Sequence, residues 1–175
     1  RDGHQIVDIW PDLKDQIAGV AIDVGSTTMS AHLCDMVTGT VLASTGAMNP
    51  QIRFGEDLMS RVSYGIMNPG GAAEMTKAVI AGLQTLIDGA AKQAGLNSED
   101  IVELVLVGNP VMHHLLLGID PVELGGAPFA LAVDAAMVVR AAELGIAINP
   151  GGRVYILPCI AGHVGADAAA VVLAE

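Results

Sequence analysis

The pattern of apolar and polar positions changes period along the chain, and each change predicts a new element of secondary structure. Residues 17–24 form an apolar run rich in β-branched side chains, which predicts a buried strand that ends at Gly25. Residues 29–36 alternate loosely, a turn follows at residues 37–40, and residues 41–44 are extended again. A hairpin is therefore predicted directly after the first strand.

A long helix and a second buried strand follow a segment of loops. Residues 48–71 contain several prolines and glycines, and within them residues 56–62 predict a short helix. Apolar side chains recur at helical spacing over residues 72–94, and Gly95 stands where that helix would end. The apolar run at residues 101–107 predicts a strand. This order of elements favours parallel pairing of the two strands with a right-handed crossover.

The last part of the chain predicts more helix than strand. Its elements are expected to be a short helix, a longer helix, a strand and a small-residue helix, at residues 111–117, 130–144, 154–157 and 165–174. Residues 1–16 show no sustained period and predict a connecting arm from an upstream domain. Residues 17–175 are expected to form an α/β unit, with helices packed on a mixed sheet.

Composition narrows the class of protein. Acidic residues outnumber basic ones by 19 to 8 and the basic residues are scattered, so the chain is not expected to bind nucleic acid. No apolar run reaches the roughly 20 residues that a membrane span requires. The two cysteines, Cys34 and Cys159, lie far apart and cannot assemble an iron–sulfur or zinc site. These features predict a soluble protein in the reducing cytoplasm.

A buried strand followed by glycine and hydroxyl residues carries the clearest candidate chemistry. Gly25 would let the backbone approach a phosphate, and the amides and hydroxyls of Ser26, Thr27 and Thr28 can donate to phosphate oxygens. Asp23 can hold a hydrated Mg²⁺, which takes only one or two carboxylates. One alternative stays open: the segment is only a tight strand exit, in which Asp23 accepts hydrogen bonds from its own turn.

The strand, this turn, the hairpin and the helix that follows resemble the ATP-binding fold of actin, sugar kinases and heat-shock chaperones, a ribonuclease-H-like fold. The resemblance implies that residues 23–28 are the first phosphate loop of a site for ATP and Mg²⁺. Residues 155–170 resemble the strand and helix that cross between the two lobes of those proteins. In the sugar kinases an Asp that begins this helix acts as a base, and Asp167 is the nearest match. A favourable interaction with the positive end of the helix is its alternative role.

Three longer segments resemble the reductive activators of corrinoid-dependent proteins. They are MNPQIRFGED at residues 48–57, VGNPVMHHLLLG at residues 107–118 and LPCIAGHVGAD at residues 157–167, so the resemblance spans nearly the whole chain. It implies an ATP-binding domain preceded by a ferredoxin-like domain with a [2Fe–2S] cluster. In that family ATP turnover drives the reduction of inactive Co(II) corrinoid to Co(I), which makes a corrinoid protein the expected partner.

The chain departs from the family pattern in two ways. It lacks the ferredoxin cysteines, and it ends before a second Asp-x-Gly phosphate strand. We therefore expect residues 17–175 to be the amino-terminal lobe of the ATPase domain, without the second lobe and inert on its own. The lobe of a small-molecule kinase and a non-catalytic, nucleotide-regulated binding module remain alternatives. The identity of the corrinoid partner and a homodimeric state are left open.

Several other side chains are candidates for binding or docking. His113 and His114 are neighbours on a predicted helix and point about 100° apart. A shared metal is therefore disfavoured, and a surface or lobe-contact role is expected. Cys159 is expected to be a buried thiol, and the role of His163 is left open.

A small charged cluster lies between the loops that follow the hairpin. Arg53, Glu56 and Asp57 form either a solvated face or a loop that docks a partner, and their charges do not distinguish the two. Three methionines at helical positions are expected to belong to the core, namely Met75, Met112 and Met137.

We predict that the isolated 175-residue chain is colourless and binds no iron. Four thiolates normally hold a [2Fe–2S] cluster, and this chain contains only Cys34 and Cys159. Iron analysis and visible absorption after anaerobic reconstitution measure the outcome. Stoichiometric iron would contradict the prediction.

Overall fold

The computed structural model describes residues 6–174, and its centre is a mixed six-stranded sheet. In chain order the strands are β1 (Ala18–Val24), β2 (Thr28–Asp35), β3 (Val41–Met48), β4 (Ile101–Gly108), β5 (Met137–Arg140) and β6 (Arg153–Ile156). They lie across the sheet in the order β3-β2-β1-β4-β6-β5. β4 pairs in parallel with both β1 and β6, and the other neighbours are antiparallel. The predicted α/β class, the hairpin and the parallel pairing of β1 with β4 are confirmed.

Helices cover the sheet unequally. The α-helices of the described residues are α1 (Leu58–Met67), α2 (Gly71–Ala94), α3 (Pro110–Leu116) and α4 (Ala166–Ala174). Short 3₁₀ helices lie at Pro50–Phe54, Ser98–Asp100, Val122–Gly125 and Ala141–Leu144. α2 packs against β2 and β3 and contacts α1 and α3, whereas α4 contacts β4. No helix in the described part of the chain is long and apolar enough to cross a membrane.

Alternate side chains of β1 build the core on the face of the sheet that α2 covers. Its buried residues are Ala18, Val20, Ile22 and Val24. α2 meets them with a stripe at helical spacing that includes Met75, Val79, Leu83 and Ile87. The apolar run that predicted β1 and the helical spacing that predicted α2 thus supply the two sides of one interface. The intervening side chains of β1, which include Asp23, point to the other face.

Helix ends agree with the residues that flank them. Gly95 follows α2 with a φ of 71°, the left-handed conformation that glycine adopts without strain. α1 begins after Asp57, whose carboxylate accepts a hydrogen bond from the Ser60 N–H at 2.7 Å. This helix continues to Met67, five residues beyond the end predicted from the pattern.

The predicted helix at residues 130–144 is wrong. Met137–Arg140 forms β5 at the edge of the sheet, and only Ala141–Leu144 is helical, as a 3₁₀ turn. Two adjacent valines in β5 favour an extended backbone. The open side of β6 supplies the hydrogen-bonding partner, which a local sequence pattern does not display. For the same reason Met137 lies half-buried on a strand, whereas Met75 and Met112 are buried on helices as predicted.

Polar contacts tie the described part of the predicted arm, residues 6–16, to the sheet-bearing unit. Within it there is no helix or strand. Lys14 Nζ lies 2.5 Å from Asp100 Oδ1, and Asn149 Nδ2 donates to Asp8 Oδ2 at 2.6 Å. Residues 1–5 of the predicted arm lie outside the described residues. The origin of the arm in an upstream domain stays a prediction.

We predict that Gly82→Ala destabilises the protein although alanine favours helix. A Cβ on Gly82 would lie 2.8 Å from Met29 Cε and 2.9 Å from the Pro50 ring, and such overpacking costs about 1–3 kcal/mol. The matched control is Gly89→Ala in the same helix, whose added Cβ would meet Thr45 Cγ2 at 3.7 Å. That variant should gain about 1 kcal/mol from helix propensity. Urea unfolding measures both variants, and equal stabilisation would contradict the close packing of Pro50 on α2.

Candidate functional site

The candidate phosphate turn lies at the edge of the sheet where two parallel strands end. β1 ends at Val24 and β4 ends at Gly108, and these two residues are register partners. Residues 25–27 leave β1 at this edge, and Thr28 begins β2. In open α/β sheets, ligands bind outside the carboxyl ends of the strands. The turn thus occupies the edge at which a ligand is expected.

Gly25 is required by the turn itself. A Cβ at this position would lie 2.4 Å from the carbonyl oxygen of Thr28, which is far closer than real Cβ atoms approach another atom. The close approach of two backbone segments therefore explains the glycine without any ligand. Evidence for phosphate binding must come from the other groups of the turn.

Three successive carbonyl groups of the turn are held by hydrogen bonds from two residues. Asn49 Nδ2 donates to Gly25 O at 2.8 Å, and the Asn49 backbone N–H donates to Thr27 O at 2.8 Å. Arg61 Nη2 donates to Ser26 O between them. The turn is therefore fixed in one orientation by groups on one side of its backbone.

The anchoring residues belong to a buried polar network. Asn49, Gln51 and Arg61 are each at most 1% exposed. Gln51 Oε1 accepts hydrogen bonds from Arg61 Nη1 and from Asn49 Nδ2, both at 3.3 Å. Gln51 Nε2 donates to Met75 O at 2.9 Å, and Arg61 Nε donates to Gly55 O at 3.0 Å. The network thus links the turn to α1 and α2.

The sequence pattern does not reveal this network, because residues 48–57 stand out only by their resemblance to a family and Arg61 only as one position of a short helix. One local signal was available. Asn49 precedes Pro50, and an Asn before a Pro at the first helical position is a favoured N-cap. Its side chain does cap the 3₁₀ helix, since Oδ1 accepts from the Gln51 N–H at 2.9 Å. The contacts to the turn require the tertiary structure.

Asp23 and Asp167 lie within electrostatic reach of each other. Partial burial raises the pKa of Asp23, and repulsion from the Asp167 carboxylate raises it further. Asp23 is exposed as a residue, so this burial concerns only part of its carboxyl group. The residue before α4, Gly165, lies close to the end of β4. A Cβ at this position would lie only 2.5 Å from Gly108 O, so the lack of a side chain permits the approach. The fold thereby brings together two predicted acidic residues from opposite ends of the chain.

Asp23 does not form its own turn. Within the described residues, no hydrogen bond to its carboxylate accompanies the strand exit, in contrast to Asp35 at the other end of the hairpin. Asp35 Oδ1 accepts from the backbone N–H groups of Val37 and Thr38 at 2.7 and 3.0 Å. These bonds lower the pKa of Asp35. Asp23 accepts no such bonds among the described residues, which disfavours the alternative in which it is only a turn-former.

A groove opens beside Asp23 on the sheet face that α2 leaves uncovered. Its walls come from β1, β2, β4 and α4, and include Asp23, Ser30, His32, Val105 and Ala170. No three His, Cys, Asp or Glu side chains of residues 6–174 cluster closely enough to hold a metal ion. A Mg²⁺ that keeps much of its water shell needs only one or two carboxylates. Asp23 and Asp167 fit that donor set.

The expected surface role of His113 and His114 is wrong, because both side chains are buried, and the alternative lobe-contact role stays a prediction. His114 Nε2 accepts the Ala132 N–H at 3.0 Å, and Nδ1 lies 2.8 Å from Pro110 O. This pair of contacts requires a neutral ring with its proton on Nδ1. His114 therefore joins α3 to the irregular segment before β5.

His113 lies in apolar surroundings at the ends of β1 and β4. Val24, Leu106 and Met112 line the same small cavity as its ring. Burial, and to a smaller extent the neighbouring His114, lower the pKa of His113 to about 4. Among the described residues neither ring nitrogen of His113 has a hydrogen-bond partner. His113 is thus a neutral core residue at neutral pH.

The other candidates also have structural contacts. The Arg53 guanidinium lies 4.6 Å from the centre of the Phe54 ring, and Asp57 caps α1. The charged cluster is therefore partly structural, and its docking role stays a prediction. Cys159 is buried as predicted, and burial raises the pKa of its thiol. The His163 ring packs against a phenylalanine ring, with centroids 4.4 Å apart.

Known proteins share this sequence and fold. The family described as the RACo middle region matches residues 18–175. The corrinoid activation enzyme RamQ of Eubacterium limosum is 34% identical over 173 residues, which are 98% of this chain and 29% of RamQ. A solved reductive activator for corrinoid, iron–sulfur protein is 39% identical with a TM-score of 0.89, over 93% of this chain and 26% of the activator. The chain thus spans less than a third of either relative, and the structural likeness confirms the predicted actin-like fold.

We predict that His113→Leu makes stability less dependent on pH below neutrality. The pKa of His113 is about 4 in the folded protein and about 6.5 in an unfolded chain. Between these values the unfolded state binds more protons, so stability falls as pH decreases, by about 2 kcal/mol from this residue. Urea unfolding near pH 7.5 and pH 4.5 measures the loss. An equal loss for variant and wild type would contradict a buried, neutral His113.

Proposed function

Since the chain belongs to the RACo middle region family, we propose that residues 17–175 form the amino-terminal lobe of the ATPase domain in a reductive activator of corrinoid proteins. In the complete protein, ATP turnover drives the reduction of an inactive Co(II) corrinoid to Co(I). This chain supplies the first phosphate loop, residues 23–28. The orientation of the backbone in that loop is the observation that carries the proposal.

The carbonyl groups of the turn are held toward the buried network. Gly25 O accepts from Asn49, and Ser26 O accepts from Arg61. A trans peptide unit is planar, so its N–H points away from its C=O. The N–H groups of Ser26 and Thr27 therefore face the opposite side, toward the open end of the strands.

Those two N–H groups are available to a ligand. None of the hydrogen bonds among the described residues uses the backbone N–H of Ser26 or Thr27. Thr27 and Thr28 are exposed and Ser26 is half-buried, so their hydroxyl groups can reach the same space. Successive N–H groups directed to one side of a turn bind anions. The phosphates of ATP are anions of this kind and suit the donor set.

The acidic side chains have complementary roles in this proposal. Asp23 holds the hydrated Mg²⁺ that accompanies ATP and neutralises phosphate charge. The repulsion between Asp23 and Asp167 favours a cation near them. Asp167 acts as the base toward the attacking group, and a favourable interaction with the amino-terminal end of α4 is its alternative role.

The electron donor and the cobalt substrate lie outside this chain. The relatives are named as activators of corrinoid and of corrinoid, iron–sulfur proteins. We therefore propose a corrinoid protein as the partner and a [2Fe–2S] ferredoxin-like domain elsewhere in the complete protein as the electron donor. Such a cluster would supply the one electron that converts Co(II) to Co(I), and the two phosphate-binding lobes would couple that transfer to ATP.

A small-molecule kinase is the second candidate, and Asp167 at the start of α4 is the observation that favours it. Such a kinase would transfer a phosphoryl group to a small molecule without reducing cobalt. Identities of 34% and 39% to activators over nearly the whole chain favour the first candidate. A binding module would bind ATP without hydrolysing it, so one set of assays separates all three.

We predict that Asp23→Asn in the complete protein reduces ATP hydrolysis and ATP-dependent cobalt reduction by at least about tenfold. Asn keeps the shape of the side chain but removes the negative charge that orients hydrated Mg²⁺. The melting temperature should change little, because the Asp23 carboxylate accepts no hydrogen bond in the described residues. Phosphate release, cobalt absorption and thermal unfolding measure the three quantities.

Asp35→Asn is the matched control, because it makes the same change of charge at a carboxylate that does form a turn. It should lower the melting temperature and leave both activities near the wild-type values. Unchanged hydrolysis and reduction in Asp23→Asn would refute the assignment of the phosphate loop. Hydrolysis without cobalt reduction in the wild type would favour the kinase.

A further inference from the structure

The guanidinium of Arg61 is buried behind the turn among neutral partners. The side chain is fully buried and donates to four neutral acceptors, namely Gly55 O, Gln51 Oε1, Ser26 O and, at 3.0 Å, Met112 Sδ. Among residues 6–174 no carboxylate lies within ion-pair distance of it. The Asp57 carboxylate interacts electrostatically with Arg61, but Asp57 is exposed and its carboxylate caps α1.

A buried arginine in this setting keeps its charge. Burial lowers the pKa of Arg61, yet the guanidinium group is not deprotonated in proteins. An interior charge without an opposite charge is unfavourable, and the surrounding carbonyl and amide dipoles offset only part of that cost. An anion on the outer side of the turn would supply the missing negative charge across one layer of backbone. A ligand with several phosphate groups would supply more negative charge than a ligand with one.

We infer that Arg61 is a positioning residue for the polyphosphate chain of the nucleotide. It orients the Ser26–Thr27 peptide through its hydrogen bond to Ser26 O, and its charge attracts the phosphates from behind the turn. This inference rests on the proposed function of the turn. The competing explanation is that Arg61 only ties α1 to the turn, which requires hydrogen bonds and shape but no charge.

Gln51→Glu tests the charge with the least change of shape. Gln51 Oε1 already accepts from Arg61 Nη1 at 3.3 Å, so a carboxylate there would form an ion pair with Arg61 and neutralise it locally. We expect the dissociation constant for Mg·ATP to rise by about tenfold or more, which corresponds to about 1.4 kcal/mol. The measurement is calorimetric titration of the complete protein, together with its melting temperature.

Gln84→Glu is the matched control for the side effects of that substitution. Gln51 Nε2 donates to Met75 O, and Gln84 Nε2 donates to Ala147 O at 3.0 Å, so each variant loses an amide donor to a backbone carbonyl. Gln84→Glu also loses the hydrogen bond from Nε2 to Asp88 Oδ1 at 2.8 Å, so its melting temperature is measured as well. Each also adds one negative charge. Gln84 lies on α2 away from the network, and its variant should bind Mg·ATP within about twofold of the wild type.

Substitutions of Arg61 itself separate charge from shape. Arg61→Met removes the charge and keeps an unbranched chain, whereas Arg61→Lys keeps the charge and loses the planar fork. If the charge attracts the phosphates, Arg61→Lys retains clearly more affinity for Mg·ATP than Arg61→Met. If the role is purely structural, Arg61→Met binds Mg·ATP as well as Arg61→Lys or better, because a buried site tolerates an apolar residue better than lysine.

The outcomes distinguish this inference from the proposed function. Wild-type affinity in Gln51→Glu with cooperative melting, or equal affinity in the two Arg61 variants, would overturn the role of Arg61 and leave the phosphate loop in place. If the wild-type complete protein does not bind Mg·ATP, the proposed function and this inference both fail. If Gln51→Glu does not fold, the comparison of the two Arg61 variants decides.

Discussion

The hydrogen bonds from Asn49 and Arg61 to three consecutive carbonyl groups of the turn determine the rest of the candidate site. They direct the peptide planes, and the planes in turn direct the N–H groups. The position of Asn49 depends on the 3₁₀ helix that follows it, which can lie close to α2 because Gly82 has no side chain in the way of Pro50. A packing constraint in the core therefore sets the geometry of the ligand-facing backbone.

Sequence patterns predicted the elements whose burial is periodic. β1 and β4 were predictable from short apolar runs, and α2 from apolar side chains at helical spacing. The strand exit at Gly25 was predictable for a similar local reason, since glycine at the end of a buried strand marks a turn. Parallel pairing of β1 with β4 then followed from the order of elements. It brought the predicted turn to the ligand-binding edge of the sheet.

Contacts between distant residues were not predictable in the same way. β5 exists because β6 has a free edge, and no pattern within residues 130–144 reports that edge. The burial of His113 and His114 was missed because polarity suggested a surface, whereas His114 satisfies both ring nitrogens with backbone groups. The role of Arg61 was missed because its partners are two backbone carbonyls, one amide and one thioether, at positions from Ser26 to Met112.

Two explanations of the turn, phosphate binding and a purely structural strand exit, make different demands on its residues. Gly25 is needed for any turn of this shape, so it supports binding and structure equally. Asp23 and Arg61 favour binding. The Asp23 carboxylate accepts no hydrogen bond from the turn among the described residues, and Arg61 buries a charge where an apolar residue of similar length would avoid the cost of desolvation. Places where a fold departs from its most stable local choice are the places where function is expected. Here Asp23 and Arg61 lie on opposite sides of the same turn. A bound Mg²⁺–phosphate complex would give each of them a partner of opposite charge.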